Sequence, residues 1–357
     1  MGVLGTRTTL LLEEFRSQTL VLPIWFDRGA VYLIDQRALP QQEIVRRIDR
    51  VSDLVAAIQN MTIRGSGALG LCGAWGMLLA AYNAHGTRQS ILEAAQLLRE
   101  ARPTAINLRN TVDEIVNAMT DTGERLLWTL ETRVLEIVGR QLRFEYQLGE
   151  YGATLIHDGD QVLTHCHSGA LAGAGYGGRV ISVLRHAFAQ GKQIHVFVSE
   201  TRPFLQGARL TAWELSKLGI PYTIITDGMS GYCMQQRLIT LVLVGSDRVA
   251  ANGDLVNKVG TYTHAVLAQK HRIPFFTVTS QHTIDFNTSC GDDIPIEWRE
   301  AREVTHCQGE LTTLPNAHAI YPAFDITPAD LISGIITERG IIKAPYRINL
   351  RETFAVP

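Results

Sequence analysis

The second half of the chain repeats one unit, a short apolar run that ends in polar residues and leads into a glycine-bearing helix. The runs lie at residues 161–166, 194–200, 222–227, 241–247 and 275–280. The helices expected after the first four span residues 170–190, 207–218, 231–237 and 258–271. Runs this rich in Val and Ile, alternating with helices, are typical of a parallel sheet covered on both faces. Because an eight-stranded barrel needs more units, the sequence predicts an open, doubly wound α/β sheet.

The first 150 residues are predicted to be mainly helical. Apolar residues recur at helical spacing over 44–58, 68–81, 91–98 and 112–148, the last serving as one or two linking helices. One short strand is expected over residues 30–34, followed by a turn before Pro40. A length of 357 residues suits two domains. We therefore expect a helical N-terminal domain over 1–150 and a Rossmann-like domain over 151–357.

Composition excludes several classes of protein. With 33 basic and 35 acidic side chains the net charge is −2, which predicts no nucleic-acid partner. The most apolar run, residues 68–82, is shorter than the roughly 18 residues of a membrane span and predicts a buried helix. An odd number of cysteines, 5, implies no disulfide framework and favours the cytoplasm.

Four candidate functional residues stand at the ends of predicted strands: Cys166, Glu200, Asp227 and Asp247. Ligands of open parallel sheets bind beyond the carboxyl ends of the strands, so these side chains should share one edge. For the carboxylates the alternative is that they cap the helices that follow.

Cys166 lies between His165 and His167 where a strand passes into a predicted helix. The positive end of that helix would favour a thiolate, which makes Cys166 a candidate nucleophile, acid or base. The alternative is a small buried hydrophobe. A zinc site is not supported, because no Cys-x-x-Cys pair completes a ligand set.

Glycine turns at helix starts suggest anion binding. Arg64, Gly65 and Ser66 precede the helix expected near Ala68, where backbone N–H groups can hold a phosphate. Gln206 opens another helix. Asn257 and Lys258 follow the fourth strand and offer a second anion contact. The glycines are also compatible with a simple tight turn and close helix packing.

Asp247 follows the apolar run 241–246 and is a candidate general acid or base, because desolvation at a strand rim favours the neutral carboxyl. The alternatives are an ion pair with Arg248 and a helix cap.

Nine ordered motifs make the chain similar to the methylthioribose-1-phosphate isomerase family. That family is related to ribose-1,5-bisphosphate isomerase and to the regulatory subunits of the translation-initiation guanine-nucleotide exchange factor. The motifs cover residues 33–36, 63–70, 102–108, 164–173, 200–211, 227–229, 245–254, 257–262 and 322–328.

The resemblance implies a small N-terminal domain beside a Rossmann-like domain, commonly a homodimer, with no metal or organic cofactor. It makes Cys166 and Asp247 the catalytic pair, and the regulatory subunits generally lack that pair. The positions that match the family's phosphosugar-binding residues are Arg64, Gly65, Ser66, Arg102, Gln206, Asn257 and Lys258. The implied reaction converts 5-methylthioribose 1-phosphate into its ketose.

Departures from the family pattern leave the substrate open. His167 and Ser168 resemble the bisphosphate enzyme, Ser66 and Gly67 replace the usual Ala-Pro, and Ser199 replaces an acid. The alternatives are 5-deoxyribose 1-phosphate, ribose 1,5-bisphosphate, and a regulatory subunit without activity. An apolar wall for the methylthio group is expected from Trp25, Phe26, Trp75 and Met229.

Overall fold

The structure is a computed structural model that describes residues 17–83, 87–102, 105–119 and 123–354. It divides into two compact units: Met1–Tyr146 with Gly169–Gly178, and Gln147–Ser168 with Arg179–Pro357. The sequence predicts one boundary near residue 150, whereas the division lies at residue 147 and assigns the segment Gly169–Gly178 to the first unit. In the described part of the chain, no helix combines the length and apolar character that a bilayer span requires.

The first unit contains a three-stranded antiparallel sheet of β1 (Ile24–Asp27), β2 (Ala30–Ile34) and β3 (Val45–Ile48). The strand predicted over 30–34 is confirmed. The helix expected from Ile44 is wrong, because residues 45–48 pair with β2 along the edge of the sheet. Arg46 in that strand forms an ion pair with the buried Asp35 at 3.1 Å, so polar contacts override the weak helical spacing there.

The helices of the first unit confirm the predicted helical character. They are α1 (Val51–Gln59), α2 (Ser66–Asn83), α3 (Arg88–Glu100), α4 (Ile106–Asn117) and α5 (Gly123–Ala153), which continues into the second unit. Residues 68–81 of α2 are all buried, as the apolar run predicts. Phe26 and Trp75 stack with ring centroids 6.4 Å apart inside the core of this unit.

The second unit is built on strands that include all five predicted runs. In chain order its strands are β4 (Gln161–Thr164), β5 (His195–Ser199), β6 (Tyr222–Ile225), β7 (Leu241–Val244), β8 (Arg248–Ala250), β9 (Leu255–Lys258), β10 (Phe275–Val278), β11 (Ile284–Asp285), β12 (His306–Cys307), β13 (Glu310–Leu311), β14 (Phe324–Thr327), β15 (Gly334–Thr337) and β16 (Gly340–Ile342).

The main sheet has the order β16-β15-β10-β7-β4-β5-β6 and is parallel except for β16. The predicted doubly wound sheet is therefore confirmed. The sequence reading missed β15 and β16, which add a parallel strand and an antiparallel edge strand. A second sheet, β11-β8-β9-β14, follows β7 in the chain and holds Lys258 at the end of β9.

Helices α6 (Val180–Ala189), α7 (Ala212–Leu218), α8 (Met229–Gln235), α9 (Thr261–His271), α10 (Ala301–Thr305) and α11 (Tyr346–Phe354) complete the second unit. Two predicted helix starts are wrong. The helix expected from Ala170 begins at Val180, because the glycine-rich segment Gly169–Gly178 holds only the short 3-10 turn Ala170–Ala172. The helix expected from Lys258 begins at Thr261, because Lys258 still belongs to β9.

Glu145 near the C-terminal end of α5 organises the segment Gly169–Gly178. Its buried carboxylate accepts hydrogen bonds from the backbone N–H groups of Ala174, Tyr176, Gly177 and Gly178. Burial raises the pKa of Glu145, and the amide donors oppose that shift. This carboxylate thus replaces the regular backbone pairing that the segment lacks.

We predict that Glu145→Gln lowers the free energy of unfolding by about 2 kcal/mol or more, because the amide nitrogen would face backbone donors in a buried site. Urea unfolding followed by circular dichroism measures this change. Glu136→Gln, at an exposed position on the same helix, is the matched control and should change stability by less than about 0.5 kcal/mol. Equal effects of the two substitutions would contradict this role for Glu145.

Candidate active site

Four strand ends bring the predicted residues to one edge of the main sheet. Strands β7, β4, β5 and β6 are parallel neighbours in that order. Asp247, Cys166, Glu200 and Asp227 follow these strands within three residues of their carboxyl ends. The predicted edge is therefore confirmed within the second unit, although each of the four residues has a different environment.

Cys166 is held in an unusual backbone conformation by residues of one neighbouring segment. Its φ is +66°, which L-residues rarely adopt. The Thr201 hydroxyl accepts the Cys166 N–H at 2.8 Å, and the Thr211 hydroxyl donates to the Cys166 carbonyl at 2.9 Å. The Gln206 Nε2 group donates to Sγ at 3.2 Å. Backbone and thiol are thus oriented together, as expected of a residue with a chemical role.

The sequence predicts a helix directly after Cys166 whose dipole would favour a thiolate. That helix is absent, because the chain continues into the 3-10 turn Ala170–Ala172. The donor to the thiol is instead Gln206, at the start of the helical segment formed by the π-helical turn Gly207–Thr211 and α7. Gly207 permits that approach, since a Cβ there would lie 1.9 Å from the Ser199 carbonyl oxygen. The Gln206 Oε1 atom is buried and has no hydrogen-bond partner among the described residues, so it can accept from a ligand.

His167 forms a fully buried pair with Glu214 of α7. Its Nε2 lies 2.8 Å from Glu214 Oε1, and both side chains are 0% exposed. This pair ties the residue after Cys166 to the same helical segment that carries Gln206 and Thr211. His167, which differs from the family pattern, therefore helps to position the chain beside the Cys166 thiol.

His165 belongs to a directional chain of buried hydrogen bonds. The Val259 carbonyl lies 2.9 Å from His165 Nε2, so this nitrogen carries the hydrogen, and His264 Nε2 lies 3.2 Å from His165 Nδ1. The Ser230 hydroxyl lies 3.0 Å from His264 Nδ1 and completes the chain. Burial lowers the pKa of His165 and lowers that of His264 well below its ordinary value. Both rings are therefore neutral and act as structural links to the segment that follows Lys258.

Asp227 orients the turn after β5 rather than capping a helix. Its carboxylate accepts the Ser199 hydroxyl hydrogen and the N–H groups of Thr201 at 2.9 Å and Arg202 at 2.8 Å. Ser199, which departs from the family pattern, is thus part of this network. Burial raises the pKa of Glu200, and the charge of Asp227 adds to the effect.

Asp247 stands in the link between β7 and β8. Its N–H donates to the Val256 carbonyl at 3.0 Å, and this bond fixes the Asp247 backbone beside β9. Val256 lies two residues before Lys258 on that strand. Its side chain is exposed, so the desolvation expected at this strand rim is not found. The alternative ion pair is not found either, because Arg248 pairs with Asp285 at 3.6 Å.

Lys258 is a buried cation in an aromatic setting. It is 5% exposed, and its Nζ lies 5.3 Å and 4.9 Å from the ring centroids of Tyr321 and Phe324. Nζ also donates to the Tyr321 hydroxyl at 3.1 Å. The preceding Asn257 donates to the Thr261 hydroxyl at 3.0 Å and so supports the start of α9.

Asp325 fixes the turn that follows Lys258. Its carboxylate accepts the N–H groups of Gly260 at 2.6 Å and Tyr262 at 3.2 Å. Burial raises the pKa of Asp325 to about 6, and these donors and Lys258 act against the increase. Tyr321, which sequence reasoning missed, lies in the segment before β14, whose local pattern carries no signal for a contact with β9.

Three of the predicted residues of the first unit, Arg64, Gly65 and Ser66, form a compact turn, and Arg102 follows a different helix. Gly65 has a φ of +104°, and a Cβ on it would lie 2.4 Å from the Ala172 Cα atom. Ser66 begins α2, and its hydroxyl accepts from Asn107 at 2.6 Å. Gln36 donates to the Arg64 carbonyl at 3.3 Å, and Arg102 lies 3.6 Å from Met61 Sδ. The predicted glycine turn at a helix start is therefore confirmed, while Pro103 and Thr104 of the neighbouring motif lie outside the described residues.

Metal ligation has no candidate in the described part of the chain, where no cluster of three or more His, Cys, Asp or Glu side chains has suitable geometry. The two histidines beside Cys166 illustrate why. His165 is engaged by Val259 and His264, and His167 by Glu214.

Comparison with known proteins assigns the family. Residues 62–344 match the model of the initiation factor 2 subunit family. The chain is 45% identical over 338 residues to methylthioribose-1-phosphate isomerase of Chloroflexus aurantiacus, which covers 92% of this chain and 97% of that protein. A crystal structure of 5-methylthioribose 1-phosphate isomerase from Pyrococcus horikoshii OT3 superposes with a TM-score of 0.90 at 34% identity, over 96% and 98% of the two chains.

A crystal structure of translation initiation factor eIF-2B subunit delta from A. fulgidus also superposes, with a TM-score of 0.87 at 36% identity, over 94% of this chain and 100% of that chain. Fold similarity thus spans both named functions, whereas the curated relatives at 43–46% identity are named as isomerases. The chain belongs to the initiation factor 2 subunit family and, within it, to the methylthioribose-1-phosphate isomerases.

Proposed function

We propose that this protein is an aldose-ketose isomerase that converts 5-methylthioribose 1-phosphate into 5-methylthioribulose 1-phosphate in methionine salvage. The observation that carries the proposal is Cys166, whose backbone and thiol are oriented by Thr201, Gln206 and Thr211. The isomerases that cover more than nine-tenths of this chain support the same reaction.

The reaction needs two proton-transfer groups. In an aldose 1-phosphate the anomeric oxygen is esterified, so ring opening requires a proton on the ring oxygen. We propose that Asp247 supplies this proton as the C1–oxygen bond breaks, leaving a cation at C1. Cys166, as the thiolate, then takes the hydrogen of C2 as a proton, and the C–H electron pair forms the C1–C2 double bond.

The resulting enol phosphate collapses to the ketose. Cys166 returns its proton to C1, and the hydroxyl on C2 loses its proton to Asp247 as the C2 carbonyl forms. Both groups end in their starting states, so the cycle balances without a cofactor. The opposite assignment of acid and base to Asp247 and Cys166 remains within the proposal, because both follow neighbouring strands.

Substrate contacts are proposed for three residues of the second unit. The proposed contacts of Lys258 and Gln206 are supported by the burial of both residues and by the Gln206 Oε1 atom, which has no hydrogen-bond partner among the described residues. The proposed contact of Asn257 is supported by its position next to Lys258 on β9. The contacts of the first unit, proposed from the sequence resemblance, are Arg64, Gly65, Ser66 and Arg102.

The 5-methylthio group is favoured over a second phosphate by the named relatives. The apolar wall expected from the sequence has weaker support, because Phe26 and Trp75 belong to the core of the first unit. Met229, by contrast, is exposed at 49% at the start of α8. Isomerisation of 5-deoxyribose 1-phosphate or ribose 1,5-bisphosphate remains the alternative activity at the same catalytic pair.

We propose a homodimer in the cytoplasm. Strand β6 is an edge of the main sheet and exposes Ile224 at 47%, while the nearby helix α8 exposes Tyr232 at 62%. Exposed apolar side chains at a sheet edge favour association. The five cysteines are all free, which agrees with a reducing compartment.

Substitution of either catalytic residue should lower turnover by about 100-fold or more, the scale of general acid-base catalysis. Cys166→Ala and Asp247→Asn are assayed for kcat with 5-methylthioribose 1-phosphate. Cys307→Ala, at a half-buried position, and Asp292→Asn, at an exposed position like that of Asp247, are matched controls in the second unit and should retain turnover. A variant that keeps near-normal kcat removes that residue from the mechanism.

A panel of three sugars tests the substrate. We expect kcat/KM to be highest for 5-methylthioribose 1-phosphate and lower but measurable for 5-deoxyribose 1-phosphate, since small apolar groups change binding by about 1 to 3 kcal/mol. A preference for ribose 1,5-bisphosphate would contradict the proposed substrate but would leave the assignment as an isomerase intact. No turnover of any of the three would instead favour a regulatory subunit.

Light scattering of the purified protein tests the assembly. The expected mass is about twice the 39.5 kDa of one chain. Ile224→Lys should shift the mass toward one chain, because it places a charge at the exposed edge. A monomeric mass for the unmodified protein would rule out the homodimer.

A further inference from the structure

Tyr321 lies outside the predicted site residues but contacts one of them directly. Its hydroxyl accepts a hydrogen bond from Lys258 Nζ at 3.1 Å, and the side chain is 3% exposed. The guanidinium carbon of Arg299 lies 6.0 Å from the ring centroid of Tyr321. The hydroxyl is therefore hydrogen-bonded to one buried cation, Lys258.

The Lys258 ammonium is a donor only, and this decides what the hydroxyl itself can do. A lysine ammonium has no acceptor atom, so the Tyr321 oxygen must accept the bond between them. The hydrogen of the hydroxyl is then directed toward another group, which must be an acceptor. A buried hydroxyl hydrogen without an acceptor costs free energy, so a ligand oxygen at this point would be bound favourably.

Burial keeps the Tyr321 phenol protonated. It raises the pKa of Tyr321 to about 12, and the positive charge of Arg299 opposes part of that increase. A phenol in this state is a donor at neutral pH and is not an acid-base catalyst.

Arg299 pairs with acidic side chains and helps to fix Tyr321 in place. Arg299 lies 2.8 Å from a Glu297 oxygen and 4.0 Å from a Glu303 oxygen. Its backbone N–H also donates to the Tyr321 carbonyl at 2.9 Å, which fixes the tyrosine in place. Lys258 faces the rings of Tyr321 and Phe324. An anion that binds at the Tyr321 hydroxyl would therefore lie beside the Lys258 ammonium.

We propose that Tyr321 is a substrate-binding residue that donates its phenolic hydrogen to a phosphate oxygen of the sugar phosphate while it holds the Lys258 ammonium in position. The proposal rests on the proposed function for the identity of the substrate. The contact itself requires only a phosphate group, so it can be measured without turnover.

Inorganic phosphate is the probe, and Tyr321→Phe is the test variant. The phenylalanine keeps the ring that faces Lys258 and removes only the hydroxyl. We expect the Kd for phosphate, measured by isothermal titration calorimetry, to rise about tenfold, as for loss of one hydrogen bond to a charged group. KM for the sugar phosphate should rise by a similar factor, with kcat changed less than about threefold.

Two further variants calibrate the result. Tyr346→Phe removes the hydroxyl of another buried tyrosine, which donates to the Ile332 carbonyl at 2.7 Å, and should leave the Kd for phosphate unchanged. Lys258→Ala should weaken phosphate binding more strongly than Tyr321→Phe, whereas Lys270→Ala, at an exposed position on α9, should not change it. An unchanged Kd in a folded Tyr321→Phe protein would overturn the proposal.

A crystal structure of the unmodified protein with phosphate gives a test that needs no variant. The Tyr321 oxygen should lie about 3 Å from a phosphate oxygen, and a phosphate bound away from Tyr321 would overturn the proposal. Failure of the proposed function has a different signature. If the protein binds phosphate through Tyr321 but turns over none of the three sugars, the binding role stands and the isomerase assignment falls.

Discussion

The hydrogen bonds that hold the segment of Cys166 to the segment after β5 are the constraint on which the site depends. Thr201 and Thr211 fix the backbone of Cys166, Gln206 orients its thiol, and Glu214 binds the next residue, His167. A left-handed backbone at Cys166 costs free energy, and these contacts stabilise it. The loop after one strand is therefore shaped by the loop and helix after its neighbour.

The buried polar groups around this segment are neutral or hydrogen-bonded to neighbouring groups. The His165 and His264 rings are uncharged and linked in series, and the Glu145 carboxylate is surrounded by backbone donors. Lys258 is a buried cation that faces the rings of Tyr321 and Phe324 and donates to the Tyr321 hydroxyl. A buried cation can attract an anionic ligand such as the phosphate of a sugar phosphate.

Much of the sheet was predictable, because buried parallel strands carry a strong local signal. All five apolar runs are strands, and their order places Cys166 and Asp247 at neighbouring strand ends. The errors occurred where the local signal is weak or is overridden. Residues 45–48 form an edge strand because they pair with β2 and because Arg46 forms an ion pair with Asp35. Residues 170–178 do not form the predicted helix, because their backbone N–H groups bind the Glu145 carboxylate instead.

By itself the sequence determined the fold class, the edge of the sheet at which Cys166, Glu200, Asp227 and Asp247 lie, and the residue types available there, since hydrophobic periodicity and strand ends are local properties. Only the tertiary structure decided how those residues are used. It exposed Asp247, engaged Asp227 in a turn, and brought Tyr321 to Lys258 across 63 positions of sequence. Contacts of that separation depend on how β9 and the segment before β14 pair, and no local pattern encodes that pairing.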